Sequence, residues 1–535
     1  VDVQYDVVIV GTGPTGLTLA NILGKHQVRT LVLERDPELS PHPKALNIDD
    51  EFFRLLHSLG LGEAMKQHAK YPISYDYVSP LGLSLGFVQG RTTEQNFPNR
   101  AAIFQPEFEK ILASAALETG FVTIEFDREV LSIKEREVAG VEVVARQSNG
   151  KRLAYRTQYL VGADGAHSVC RKQLGLTFNE VDKFDIRHVV IDVLDDIDPS
   201  PMALTKMGWR RNFFSMPAPN GRRFEFSRQK HETAEDLLDD DMLRRLFKPW
   251  RNYDELKIIR KVVHSFRSRI APALSVGRVF LAGDAAHLMP VFGSQGMNSG
   301  ARDANNLGWK LARVIRHGAS PALLDTYQDE RWEAVLKTIR MATTNGKLQM
   351  VQSIPMSLLR DLFFGVLRLV PAATRYIREM KYIPKPFLRS RLVRPGEEKG
   401  RPEELVGRIN PNPAVRHDGQ DRLLDDALGF GFALVGVEAS GADLAQACAI
   451  AERFSASCVI VTRGPVAPNG ASTDAGGLAP TVLSVTDQRY DGVFKSYDGQ
   501  WLLIRPDRII ACAGPIGQLA NDATRLLEEV SAPGA

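Results

Sequence analysis

Six residues near the start of the chain, Gly11-Thr12-Gly13-Pro14-Thr15-Gly16, constrain its fold more than any other feature. They follow an apolar run of buried-strand type, Tyr5 to Val10, and open a segment, Leu17 to Leu23, whose apolar residues take helical spacing. A second strand-like run, Thr30 to Leu33, ends at Glu34. The whole is a βαβ unit of about 30 residues, the usual setting of a dinucleotide-binding fold. Gly11 permits the tight turn, Gly13 lets a phosphate approach the backbone, and Gly16 lets helix and strand pack closely. Pro14 and Thr15 complete the loop, and the helix directs unpaired amides and its positive dipole end at a pyrophosphate. Glu34 can accept both hydroxyl protons of an adenosine ribose and repels a 2′-phosphate, so the site suits FAD or NAD over NADP. Arg35, next in the chain, joins the candidate contacts.

Far downstream, Gly283-Asp284-Ala285-Ala286-His287 precedes Pro290, Gln295-Gly296-Met297-Asn298 and Asp303-Ala304-Asn305-Asn306-Leu307. An Asp with backbone amides can hold a ribityl chain and a flavin ring, which complements a pyrophosphate site. Together the two signals point to FAD. Between them, Val161-Gly162-Ala163-Asp164-Gly165-Ala166-His167-Ser168, with Arg171 beyond, reads as a strand ending in an Asp-Gly turn before a helix.

With these three motifs in this order, residues 5–345 resemble the class A FAD-dependent aromatic hydroxylases, in particular their phenol-hydroxylase-like group. The runs Leu324-Asp325-Thr326-Tyr327-Gln328-Asp329-Glu330-Arg331, Arg375 to Lys381, Leu392-Val393-Arg394 and Arg505-Pro506-Asp507-Arg508 extend the resemblance over nearly the whole chain, toward hydroxylases of 3-(3-hydroxyphenyl)propanoate. The resemblance implies that Asp164 lies between the flavin and pyridine-nucleotide paths and that Asp284 binds the ribityl hydroxyls. Lys44, Arg100 and Gln105 become FAD contacts by the same token. Gly296, Met297 and Asn298 bring backbone amides to the isoalloxazine, and Pro290 sits near its reactive edge. Arg223 resembles a position near flavin and substrate, and Arg210 and Arg211 are candidates for a substrate carboxylate, which a guanidinium pairs bidentately. Ser294 departs from the pattern, because the family commonly has Gly before Gln-Gly.

Ground-state O2 does not attack an aromatic ring directly, and no side chain can store the electrons, so the chemistry needs the cofactor. The expected reaction is NAD(P)H reduction of FAD, O2 addition at flavin C4a, and oxygen transfer from the hydroperoxide to a phenolic ring ortho to its hydroxyl. No second GxGxxG stands in a strand-turn-helix setting, so nicotinamide is expected to bind transiently, and NADH against NADPH stays open. The group that deprotonates the phenol is not readable: His287 and His167 both sit inside motifs and are expected to be structural. Two rivals remain, a same-fold hydroxylase of a bulky polyketide or other phenol, and a flavoprotein that does not oxygenate. A flavin halogenase is disfavoured, because the five tryptophans form no Trp-x-Trp pair.

The chain of 535 residues is too long for one ordinary core. The expected fold is α/β: a Rossmann-like FAD-binding domain with an inserted β-sheet substrate domain, plus a C-terminal thioredoxin-like domain. The boundaries read as residues 1–180 and 271–385 for the FAD-binding part, 181–270 for the substrate sheet, 386–405 for a proline-rich linker and 406–535 for the last domain. Within these, 48–60, 106–119 and most of 303–350 read as helices, 121–161 as hairpins and 184–230 as strands rich in aromatics. Pro384, Pro386, Pro395 and Pro402 mark the linker, and Gly464 to Gly477 a flexible loop. A formal charge of +3 is too even to imply nucleic acid or an anionic membrane. Four scattered cysteines without a CxxC argue against disulfides, zinc or thiol exchange in the last domain, and fit a cytoplasmic protein. No signal peptide is expected. The stretch Ile354 to Ala373, broken by Arg360, Asp361 and Arg368, reads as an amphipathic helix over a core or a dimer surface, with a homodimer left open.

Overall fold

The computed structural model describes residues 4–136, 140–351, 353–385, 387–394, 406–417, 419–463, 480–490, 494–495, 497 and 498–531. Strand Tyr5–Val10 pairs in parallel with Thr30–Leu33 on one side and Arg152–Gly162 on the other. Val122–Glu125 extends this sheet beyond Thr30–Leu33, and Val279–Leu281 beyond Arg152–Gly162, again in parallel. Val7, Val8, Ile9, Leu31, Val32 and Leu33 are completely buried, which is why these strands read as continuous apolar runs. Helix Pro14–Lys25 packs on the sheet between helices Gln105–Glu118 and Gly296–His317. The antiparallel ribbon Glu129–Arg136 and Gly140–Arg146 hangs from Arg152–Gly162, and Gly150, at φ +86°, sits in the Ser148-Asn149-Gly150 turn that joins Gly140–Arg146 to Arg152–Gly162.

A second sheet of eight strands faces this domain. Its centre is the long strand Asn179–Leu194, antiparallel to Gly221–Ser227 and to Lys257–Ile270. The sheet continues through Phe213–Ala218 and Met202–Lys206, then recruits Ser74–Val78 and Ser84–Val88 from the first segment of the chain. A boundary at residue 181 therefore leaves out two of its strands. Ser84–Val88 pairs with its neighbour Ser74–Val78, whose other partner, Met202–Lys206, lies more than a hundred residues away in sequence, and no local pattern records that contact. Val189, Ile191, Val193, Phe213, Phe224 and Phe226 face outward onto helix Asp240–Phe247, while polar residues of alternate positions face the nucleotide-type domain.

The third sheet belongs to the C-terminal region. Ala433–Val437 and Ser457–Thr462 run parallel around helix Leu444–Phe454, with Thr481–Val485 parallel beyond them. Gln500–Ile504 and Ile510–Gly514 add antiparallel strands on the other side, and helix Ile516–Val530 closes the unit. All four cysteines are free thiols. The loop Gly464 to Gly477 and the linker prolines Pro386, Pro395 and Pro402 lie outside the described residues. A buried charge cluster ties this region to the first domain: Glu330 accepts from Arg505 at 2.6 and 2.8 Å, from Lys310 at 2.8 Å and from Asn306 at 2.6 Å.

The stretch expected as one amphipathic helix forms two, Ile354–Leu367 and Pro371–Arg378. The first is turned inside out. Ser357 and Arg360 point inward, Arg360 donating to Met207 O at 3.0 Å, while Leu358, Leu359, Leu362, Phe363 and Val366 are exposed. Its apolar face thus covers no core among the described residues. Among the described residues no single helix is long and apolar enough to cross a membrane.

Candidate active site

The glycine loop has the shape its sequence calls for. Gly11 takes φ +106°, and a Cβ there would lie 2.5 Å from Ala163 O. A Cβ on Gly16 would collide with Gly11 O, whereas one on Gly13 would meet nothing within 4 Å. The open side of Gly13 therefore faces free space at the uncapped N-terminus of helix Pro14–Lys25, the geometry an anionic pyrophosphate needs. Glu34 is fixed beside it, accepting from Thr12 N at 2.9 Å, Thr12 Oγ1 at 2.7 Å and Asp36 N at 3.1 Å. The Thr15 side chain turns away from that space and packs against Gly283 and Gly300. Arg35 is exposed and pairs with Asp36.

The Gly283-Asp284 turn lies at the end of strand Val279–Leu281, with Gly283 at φ +60°. Asp303, completely buried, holds it: the carboxylate accepts from Gly283 N at 3.0 Å, His287 Nε2 at 2.7 Å and Arg331 Nε at 2.8 Å. Burial alone would raise the Asp303 carboxyl, but His287 and Arg331 bring it down to about 2. Arg171 adds a link from the Asp-Gly motif, donating to Ala285 O at 2.9 Å. Asp284 itself is solvent-accessible yet walled in by protein. That desolvation raises its carboxyl, with His287 and Lys44 as partial offsets. Asp164 uses one oxygen to accept from Val169 N and Cys170 N, and its other oxygen is buried without a partner.

Helix Gly296–His317 starts without a side-chain cap, and the Ser299 amide is the first to bond back into the turn, to Gln295 O. The amides of Gly296, Met297 and Asn298 are thus available donors at the positive end of a long helix. Asn298 clasps the turn through its side chain, donating to Ser294 O at 2.7 Å and accepting from Asp49 N at 3.0 Å. Arg100 donates to Gly293 O at 3.0 Å. Ser294 takes φ +54°, the left-handed region that favours Gly, which gives its departure from the family pattern a conformational meaning. Gln105 accepts from Lys44 N and Ala45 N and donates to Glu109, so its side chain shapes the loop carrying the exposed Lys44. Pro290 is buried at the start of this turn.

Across the groove, Arg223 is buried on the inner face of the second sheet. It pairs with Asp192 at 2.7 and 3.0 Å and donates to Pro43 O and Lys44 O. Phe184 and Phe214 of the sheet cluster with Phe292 of the Pro290–Gln295 turn, closed from behind by Gly346. Arg210 is exposed, while Arg211 pairs with Glu232.

A family model described as the FAD binding domain matches residues 4–342, and one described as the HcaD C-terminal domain matches residues 407–529. The chain belongs to the FAD-binding-domain family. Similarity extends to a curated relative from Shigella sonnei (strain Ss046), a 3-(3-hydroxy-phenyl)propionate/3-hydroxycinnamic acid hydroxylase, at 32% identity over 98% of this chain and 94% of the relative. Among solved structures, the anhydrotetracycline hydroxylase OxyS from Streptomyces rimosus superposes with a TM-score of 0.76 at 26% identity, covering 99% of this chain and 100% of that one. Aklavinone-11 hydroxylase, solved with FAD and aklavinone, gives 0.77 at 22% identity with the same coverage and speaks to the fold alone. This protein is a FAD-dependent aromatic monooxygenase that uses NAD(P)H.

In this hydroxylase the three motifs converge on one groove, as Thr15 against Gly283 and Arg171 against Ala285 show. Sequence reasoning passed over the residues that hold the groove in shape. Arg331 comes from helix Thr326–Gln349, and Arg302 reaches back to Asp49 and Glu51 at 2.5 Å each. Asp303 stood in the run Asp303 to Leu307 without a role of its own; it lies two turns into a buried helix face that it shares with Ser299, Asn306 and Lys310. Gln105 and Arg223, expected as ligand contacts, have their polar atoms engaged within the protein, Gln105 by Lys44 N, Ala45 N and Glu109, and Arg223 by Asp192 and the Pro43 and Lys44 carbonyls. His287 is buried and hydrogen-bonded, as a structural histidine should be, and His167 is exposed.

Proposed function

We propose that the enzyme hydroxylates a phenolic acid of the 3-(3-hydroxyphenyl)propanoate type ortho to its hydroxyl. The observation that carries this reading is 32% identity to a hydroxylase of that name over nearly the full length of both chains. The cluster of Phe184, Phe214 and Phe292 between sheet and turn supports a single aromatic ring as substrate. In the same reading the amide-lined space over Gly13 takes the pyrophosphate, Glu34 the ribose, Asp284 the ribityl hydroxyls, and Gly296, Met297 and Asn298 the flavin ring. When bound, FAD supplies the electron storage and oxygen activation that side chains lack. The chain's own residues orient the ring and exclude water from the space between turn and sheet. Arg210, which is exposed, is proposed for the substrate carboxylate, and Pro290 for the edge of the flavin. Four free thiols support a reducing, cytoplasmic setting.

NAD(P)H oxidation by the FAD-loaded protein, with and without 3-(3-hydroxyphenyl)propanoate, tests the reading when peroxide and hydroxylated product are both quantified. Product matching the reductant consumed is expected. Stimulation that yields mainly peroxide, or none at all, would rule this compound out as the substrate.

A further inference from the structure

The inner face of the substrate sheet carries a row of titratable side chains. His188, Asp192, Arg223, Glu225, Arg260 and His264 occupy alternate or directly opposed positions on three neighbouring strands and so share one face. Asp192 and Arg223 neutralise each other at 2.7 Å, with Arg260 beside them. His188 and Glu225 form a second pair, Nδ1 to Oε2 at 2.9 Å, and His188 is completely buried. Its remaining ring nitrogen, Nε2, is also buried and has no hydrogen-bond partner. Burial would raise the Glu225 carboxyl, but His188, Arg223 and His264 hold it below the ordinary carboxylate value, so it faces His188 as an anion.

An acceptor carboxylate on Nδ1 makes that nitrogen the donor and leaves Nε2 with a free lone pair. The imidazole stacks on Phe214 at 5.1 Å between centroids and lies 6.4 Å from Phe292, the residue contributed by the Pro290–Gln295 turn. It therefore stands among the rings proposed to receive the substrate. His26 and His287 also have an unpartnered nitrogen, but His26 sits against Phe430 beyond the end of helix Pro14–Lys25, and His287 belongs to the Gly283 turn and has no aromatic neighbour among the described residues.

We infer that His188, oriented by Glu225, is the base that takes the phenolic proton of the substrate. This rests on the phenolic substrate proposed above. An unperturbed phenol ionises near pH 10, so little phenolate exists at neutral pH without a base. In the step, the phenol O–H bond breaks, the proton moves to Nε2, and the electron pair stays on oxygen, where it activates the ring. The imidazolium so formed is balanced by the Glu225 carboxylate. No electron is transferred. His264, opposite His188 in the strand ladder and exposed, offers a route by which the proton can leave to solvent.

The test uses FAD-loaded wild type, His188→Gln and Glu225→Gln, each with 3-(3-hydroxyphenyl)propanoate and no reductant. Phenolate absorption of the bound ligand is followed from about pH 6 to pH 10, the span between the ordinary histidine and phenol values. Wild type should ionise the ligand well below pH 10. His188→Gln, with its flavin retained, should do so only near the ligand's own value, and its kcat at neutral pH should fall about 10²-fold and recover with rising pH at little-changed KM. The same ionisation curve in wild type and His188→Gln would overturn the assignment. Should His188→Gln lose its flavin or its fold, Glu225→Gln decides: an alkaline shift of the curve supports the assignment and an unchanged curve refutes it. Failure of wild type to bind this ligand would sink the substrate reading alone. The titration repeated with phenol and 3-hydroxybenzoate would then judge His188, and no ionisation of either by wild type would refute it.

Discussion

Asp303→Asn removes the charge on which the Gly283-Asp284 turn hangs. The carboxylate is completely buried, which by itself would raise its pKa, yet its partners bring it from 3.8 to about 2. A difference of that size is worth about 2.5 kcal/mol at neutral pH. Because the folded value is the lower one, this stability is present above the ordinary carboxylate range and is lost as pH falls toward 2. The substitution also leaves the Arg331 guanidinium buried without its counter-ion, which brings the expected loss to about 3–5 kcal/mol. The Asn oxygen can still accept from Gly283 N and His287 Nε2, so the turn should shift and not unravel. Thermal release of flavin fluorescence, read with the flavin-to-protein ratio after gel filtration, measures both consequences. A midpoint lower by roughly 5–10 °C and a reduced flavin ratio are expected. The gap from wild type should stay constant from neutral pH down to the ordinary carboxylate range and narrow below it. An unchanged midpoint with an unchanged flavin ratio would refute the reasoning.

Two glycine variants should separate folding from cofactor binding. Gly13→Ala enters open space, so the apoprotein should melt normally while FAD titration shows affinity reduced at least about tenfold through lost approach of the pyrophosphate. Gly16→Ala meets the Gly11 carbonyl and should cost about 1–3 kcal/mol in the apoprotein itself, measured by thermal melting. Asp284→Ala should leave the fold intact and weaken FAD retention by about an order of magnitude, the value of one good charge-assisted hydrogen bond; full occupancy in gel filtration would contradict the ribityl assignment. Glu330→Gln strips the counter-charge from the completely buried Lys310 and leaves buried Arg505 with Asp507 alone, and should destabilise the junction with the C-terminal region by about 3–5 kcal/mol. Urea unfolding followed by the fluorescence of Trp309, whose ring lies under Arg505 at 5.2 Å, reports that loss.

The parts of the fold legible in one sequence are those whose signal is local. The βαβ opening was read from apolar runs separated by glycines, because a strand buried on both faces cannot alternate and a turn of this tightness cannot carry a side chain. Ser74–Val78 and Ser84–Val88 escaped for the opposite reason: they are short, and the sheet they join is assembled far along the chain. The helix Ile354–Leu367 has an apolar composition, but its buried face is the one with Ser357 and Arg360. Composition alone cannot say which side of a helix meets the protein.

The motifs Gly11 to Gly16, Asp164-Gly165 and Gly283-Asp284 determined the cofactor class and its domain from sequence alone, because each acts mainly through backbone geometry that glycine and aspartate impose wherever they stand. Tertiary structure decided which side chains shape the site and which remain free within it. Arg223 spends its guanidinium on Asp192 and the Pro43 and Lys44 carbonyls, whereas His188 keeps one ring nitrogen without a partner. A side chain's chemistry depends on what its neighbours leave unused, and those neighbours come from strands that meet only in three dimensions.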